Sequence, residues 1–320
     1  MTTEKTIKSK EIVKLARVSR ERRGRATAEN RHLPIVLLIP AIIILAFVVG
    51  FPMLYSLYLS FTNFTLLSHA SIKFVGLQNY VTVFKDPIFL GSLGRTILYI
   101  TIAVNLEFIL GLLIANAMSH IIRGQSILRT VMMMPMMFAP ILVGFQFKWI
   151  FNDQVGLINN ILYEIFGRPI IIPWLIERPL GFISILIAEI WMSTPFMVIV
   201  FLAGIMSISP EILEAAEVDG ANEWQKFRHV TVPSIIPFIY IAMAVRSLDI
   251  AKAYDLVSIM TGGGPAHRTE LIWTYVYRLA FTSQKFALGS AMSYVTVVIA
   301  FAFTFYFFRQ LIKARQIRRV

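Results

Sequence analysis

Six long apolar runs constrain this chain more than any other feature of its sequence. They lie near residues 34–59, 94–118, 128–151, 181–207, 233–257 and 287–308, and each reaches the roughly 20 residues that carry an α-helix across a bilayer. They lack the in-and-out alternation of short barrel strands, so the fold class they predict is an all-α membrane protein with six transmembrane helices. Composition points the same way: 57% of the 320 residues are hydrophobic and only 15% are charged, with a mean hydropathy of +0.70, well outside the range of a soluble globular domain. A net charge of +12 would suggest a nucleic-acid partner in a soluble protein. Here the basic residues gather at the two ends and read as charge lying on a lipid bilayer, with no nucleic acid implied.

Residues 1–33 hold ten Lys or Arg against four Glu and no apolar face that could form a core, which predicts a basic tail. The run that follows is much longer than the apolar region of a signal peptide and has no small-residue cleavage site, so it reads as an uncleaved first span. Arg123 lies in the first short turn, Lys226 and Arg228 in the polar segment between runs four and five, and five basic residues in a second tail, 309–320. By the positive-inside rule both termini and that polar segment face the cytoplasm, with residues 34–308 as the transmembrane part. The absence of cysteine excludes disulfide, thiol and zinc–thiolate chemistry, and five scattered histidines give no metal-binding spacing.

The polar segment from Ser209 to Pro237, SPEILEAAEVDGANEWQKFRHVTVPSIIP, is the only sizeable polar stretch between the apolar runs. Ser209 is placed to N-cap a helix with Pro210 at its first position, and Glu211, Glu214 and Glu217 suit the positive end of the helix dipole. Gly220 ends that helix. Asn222 then caps a second short helix with Trp224 and Phe227 on one face, until Pro233 and Pro237 return the chain to an apolar run. Ala215 and Ala216 beside Ile212 and Leu213 offer a smooth face for another surface, with Lys226, Arg228 and His229 in water. The alternative is a solvated connection, which would be long for a loop without structure.

The spacing Glu214-Ala215-Ala216, three residues, Gly220, nine residues, Val230, one residue, Val232-Pro233 resembles the EAA loop in permease subunits of binding-protein-dependent ABC importers. Asp219-Gly220-Ala221 and Pro237 are similar to its carbohydrate branch, and FVGLQNYVTVFKDPIFLGSL resembles the segment before the second span in the first permease subunit of maltose, glycerol-phosphate and lactose systems. The resemblance implies a type I importer permease whose residues 209–232 form a coupling helix-turn-helix. Glu214, Ala215, Ala216, Asp219, Gly220, Ala221, Phe227 and Pro233 would then meet a cytoplasmic ATPase. It further implies a second homologous permease, two ATPase subunits, an extracytoplasmic solute-binding protein and a place in a bacterial-type inner membrane. No cofactor is implied on this chain; ATP and Mg would belong to the ATPase.

Charge inside a bilayer is costly and asks for a partner or a cavity. Glu107 and Arg246 fall near the middle of runs two and five and are expected to pair across helices or face the pathway. Arg246, Asp249, Lys252 and Asp255 recur every three residues, predicting a charged stripe along one helix. The fifth-run end, with Tyr254 where the family has Phe, also resembles the family. Glu189 and Trp191 in run four are pathway candidates, Trp191 as a stacking surface for a sugar ring or simply as packing; Asn105 is either a pathway group or interhelical glue. The methionine-rich stretch around Pro135 reads as soft filling at a kink. Thr261-Gly262-Gly263-Gly264-Pro265 is a turn. LIWTYVYRLAF, residues 271–281, is either an interfacial helix with Trp273, Tyr275 and Tyr277 at headgroup level or an extension of the sixth span.

Three functions compete. An importer permease carries no nucleotide site, matching the absence of any phosphate-loop pattern. An ion-coupled secondary transporter of a small polar solute should show internal repeats with broken helices. A membrane enzyme should show a catalytic constellation, and no such spacing is present. The expectation is an importer permease for a sugar or sugar derivative, itself not an enzyme.

Overall fold

A computed structural model describes residues 33–66, 71–121 and 123–317, so nearly all of the basic tail at 1–33 and the last three residues of the tail at 309–320 lie outside the described residues. The described residues are overwhelmingly helical, with one isolated bridge between Thr62 and Phe74 and no strand. The described residues up to Tyr58 and those from Leu59 onward fall in separate compact units. The first contains α1 (Leu33–Leu45), a π-helical turn at Ala46–Gly50, and nearly all of α2 (Phe51–Ser60). Val36–Ser60 is the most apolar of the candidate spans among the described residues, and its apolar stretch is not buried.

In the second unit, α3 (Gln78–Lys85) leads into α4 (Pro87–Ser119), whose start is fixed by Asp86: its carboxylate accepts from the backbone N–H of Ile88 and Phe89, with Pro87 at the first position. Next come α5 (Gln125–Met137), α6 (Pro140–Ile150), α7 (Leu157–Phe166) and α8 (Leu180–Met206). Helices α4 and α8 pack most intimately. A Cβ on Gly111 would lie 2.5 Å from the Cβ of Met197, so only glycine admits this approach. Tyr99, Ala103, Val104, Met197 and Phe201 form the centre of the core between them.

After α8 come α9 (Pro210–Val218), α10 (Glu223–Lys226), a π-helical turn at Phe227–Thr231, and α11 (Val232–Ile250). The second arm of the polar segment is therefore not a separate helix that stops at Pro233. Glu223 to Ile250 is one helix of 28 residues. The π turn lies just ahead of Pro233, where the missing N–H and the ring would otherwise disturb the ladder. The chain ends with α12 (Asp255–Met260), α13 (Ile272–Tyr277), a further π turn at Arg278–Thr282, and α14 (Phe286–Ile317).

Among the described residues, four helices are long and apolar enough to cross a bilayer, or five if the bent pair α5–α6 is one span. The third apolar run is not one straight crossing: α5 and α6 meet at 89°. The break is not at Pro135, which stays inside α5. It falls at Phe138 and Ala139, both extended, because Pro140 drives its predecessor out of the helical region. The fifth run also ends early. Helix α11 stops at Ile250, where the indole N–H of Trp273 donates to the Ala251 carbonyl at 2.7 Å and satisfies a helix-end acceptor. Residues 271–281 are not an extension of the last helix, since the chain turns between Thr282 and Phe286. Nor do all three aromatics face outward. Tyr275 is buried and its hydroxyl donates to Asp86 at 2.5 Å, while Tyr277 is the exposed one. Burial first, and the Asp86 carboxylate second, hold the Tyr275 phenol above the usual tyrosine range, so it stays a donor.

Candidate functional site

Two regions contain the candidate residues. The first is the elbow formed by α9 and α10. Ser209 is extended and precedes Pro210 at the first helical position, although its side chain makes no capping bond. At the other end of α9, Gly220 adopts φ +81°, and the Ala221 N–H bonds the Ala216 carbonyl at 2.9 Å, a helix stop that suits glycine. Asn222 and Gln225 then form a reciprocal capping box at the start of α10. No residue of α9 is buried: Glu214, Ala215 and Asp219 are exposed, Ala216 and Ala221 half-buried, and Val218 is 88% exposed. Trp224, 64% exposed, packs on Phe227 with ring centroids 5.6 Å apart. Phe227 in turn rests on the main core, and so anchors the elbow to the helix bundle. Pro233 sits at the surface where the helix goes on into α11.

Lys226 departs from the expectation that it stays in water. Its ammonium lies 2.6 Å from Glu217 on α9 and 2.5 Å from Glu223, and its side chain is only 12% exposed. It clamps the two arms of the elbow together.

The second region is a buried charge cluster. Glu107 on α4 and Arg246 on α11 pair as expected, and bidentately: Arg246 Nε donates to Oε2 at 2.6 Å and Nη2 to Oε1 at 3.1 Å. The sequence did not suggest that the same guanidinium also binds Glu189 on α8, which Tyr99 and Ser193 hold from either side by hydroxyl bonds of 2.8 and 3.1 Å. The signal was present in the spacings Tyr99, Ala103, Glu107 and Glu189, Ser193, each recurring every four residues along one helix face. Arg246 also reaches Asp249 at 3.0 Å, and Asp249 lies 3.6 Å from Lys252. One guanidinium therefore joins α4, α8 and α11.

The expected helical stripe is only half present. Arg246 and Asp249 share α11, whereas Lys252 and Tyr254 lie in the turn beyond its end and Asp255 opens α12. The turn nevertheless brings them together. A hollow of about 250 Å³ is lined by Glu189, Arg246, Asp249, Lys252, Tyr254 and Asp255. An adjoining hollow of about 420 Å³ reaches Arg246 and Asp249 from the bend between α5 and α6. Two candidates stand apart. Trp191 packs on Phe147, ring centroids 5.4 Å apart, and lines neither hollow; Asn105 is exposed and donates to the Thr101 carbonyl of its own helix at 2.7 Å. Arg95 donates to the Glu270 carbonyl at 2.8 Å, tying α4 to the loop ahead of α13.

Comparison with known proteins agrees with this architecture. Residues 107–318 match the model of a family described as binding-protein-dependent transport system inner membrane component. The chain is 33% identical over 264 residues to a probable ABC transporter permease of Sinorhizobium fredii, spanning 82% of this chain and 84% of that one. It is 32% identical over 231 residues to the trehalose/maltose transport system permease of Thermococcus litoralis (72% and 77%). A sulfoquinovosyl glycerol transport system permease of Agrobacterium fabrum is 29% identical, with 88% and 90% covered. In fold, it is similar to a chain of a bacterial ABC transporter involved in import of the acidic polysaccharide alginate: TM-score 0.78, 22% identity, covering 91% of this chain and 99% of that one.

Proposed function

Because this chain belongs to the family of binding-protein-dependent transport system inner membrane components, as a permease subunit of an ABC transporter, we propose that it forms half of the pathway of an ATP-driven importer for a sugar or sugar derivative. Six crossings, with both ends and the elbow in the cytoplasm of a bacterial-type inner membrane, make up the proposed topology. The other half of the pathway comes from a second homologous permease. Two ATPase subunits supply ATP and Mg chemistry, with no cofactor on this chain, and an extracytoplasmic protein delivers the solute. The sugar class is supported by the trehalose/maltose and sulfoquinovosyl glycerol systems to which relatives of this chain belong.

The observation that carries this reading is mechanical. The second arm of the elbow and the buried Arg246 lie on the same uninterrupted helix, Glu223–Ile250. At 1.5 Å per residue that rod is about 42 Å long. A push on Trp224 and α9 as the ATPases close is delivered to the guanidinium that joins α4, α8 and α11, beside the hollow at Asp249 and Tyr254. The motion is a rigid-body one, and the elbow must bias two states of the bundle, beyond merely binding. Two substitutions at the exposed end test this. Glu214→Lys and Gly220→Leu are expected to leave membrane expression near wild type and to abolish uptake. Wild-type uptake in both would remove the coupling role.

A further inference from the structure

We propose that a second hollow, at the far end of the α6–α12 pair from the Arg246 cluster, is a subsite for an uncharged, hydroxyl-rich solute, a station separate from the inner one. The proposal rests on the saccharide reading above. Helices α6 and α12 run side by side, with Pro140 and Asp255 at their N-terminal ends lining the inner hollow. Lys148 near the end of α6, with Met260 and Thr261 at the end of α12, lines the second, which measures about 370 Å³. Eleven residues of α6 span about 16 Å, which sets the separation of the two stations. Between them the pair is closed: a Cβ on Gly144 would stand 3.1 Å from that of Ile259.

The chemistry of the two hollows differs in what is left to bind. In the inner one Arg246 is saturated by three carboxylates. In the outer one the side chains of Lys148 and Asp153 face the cavity with no hydrogen bond or ion pair among the described residues. Beside them stands Trp174, its indole plane fixed by a 2.8 Å bond from Nε1 to Asn159 Oδ1. Asn159 is itself 5% exposed and held by the carbonyls of Asp153 and Ile172 at 2.9 and 3.1 Å. A rigid aromatic plate next to one free carboxylate and one free ammonium is a setting for a sugar: its C–H face covers the ring, and its hydroxyls donate to Asp153 and accept from Lys148. The opposed charges sum to zero, so the hollow offers a carboxylated or sulfonated solute no net positive charge to pair with, and its anion stands beside the Asp153 carboxylate.

The test is photolabelling of the complete transporter, with its partner subunits, in lipid nanodiscs. The probes are a diazirine derivative of maltose and, in parallel, one of glucuronic acid, with the labelled peptides identified by mass spectrometry. The maltose probe is expected to mark two segments, one containing Asp153 and Trp174 and the other spanning Asp249 to Asp255. Replacing the two partnerless side chains, Asp153→Asn with Lys148→Gln, should lower outer labelling about tenfold and leave inner labelling unchanged. Label on the inner segment alone, outer label indifferent to the double substitution, or equal outer labelling by the glucuronic acid probe would each overturn the subsite while sparing the importer reading. Absence of label from both segments would overturn the subsite and the saccharide reading together.

Discussion

The elbow at 209–232 and the cluster around Arg246 each gather carboxylates around a cation, yet one is open and the other closed. In the elbow Ile212, Trp224 and Val218 are 51, 64 and 88% exposed, with Glu214 and Asp219 in solvent around them. In the cluster Glu107, Arg246 and Glu189 are 0, 3 and 4% exposed, and every guanidinium nitrogen has a carboxylate partner. Exposed ion pairs add little to stability; an exposed apolar and small-residue surface acquires its purpose from whatever covers it. A buried ion cluster cannot lose a member without stranding the others. The elbow should thus tolerate change in folding and fail in function, whereas the cluster should fail first in folding.

The largest effect expected from this contrast is on folding. Arg246→Met leaves two buried carboxylates without their cation and should cost about 3–5 kcal/mol. That is visible as a collapse of thermal stability and yield in purified protein, whereas Glu214→Lys melts as wild type does. Equal melting of the two variants would erase the distinction. A smaller loss follows from Tyr99→Phe, which keeps the packing of the ring and removes only the donor to Glu189 Oε2, about 1–3 kcal/mol in the same melting assay. The smallest effect is expected at Trp191. Because it lines neither hollow and stacks on Phe147, Trp191→Phe should leave uptake close to wild type. A large rise in KM for uptake there would return it to the pathway.

How much of this was legible beforehand depended on whether a feature is local. The elbow could be read closely from its residues: the proline at the start of α9, the glycine at its stop and the Asn222 cap act within one turn of helix, and all three occur as expected. The Glu107–Arg246 pair was readable because two charges at similar depth in apolar runs have few alternatives to each other. What escaped was tertiary. Nothing local marks Ile250 as the end of α11, since the carbonyl of Ala251 just beyond it accepts its hydrogen bond from Trp273 in another segment. The bend after α5 follows not from Pro135, where the sequence points, but from Pro140, whose predecessor Ala139 is extended. Lys226 looked like a solvated cation until the fold of α9 against α10 placed Glu217 beside it.

The most direct test of the central claim, that the elbow mates with an ATP-hydrolysing partner, uses the fact that the chain has no cysteine. Val218→Cys, at the most exposed apolar position of α9, gives a single thiol for bifunctional crosslinking in the assembled transporter. A crosslinked product joining this chain to the ATPase subunit is the result this account predicts. No such product, together with labelling of the same thiol by an impermeant maleimide added from the extracytoplasmic side, would contradict it.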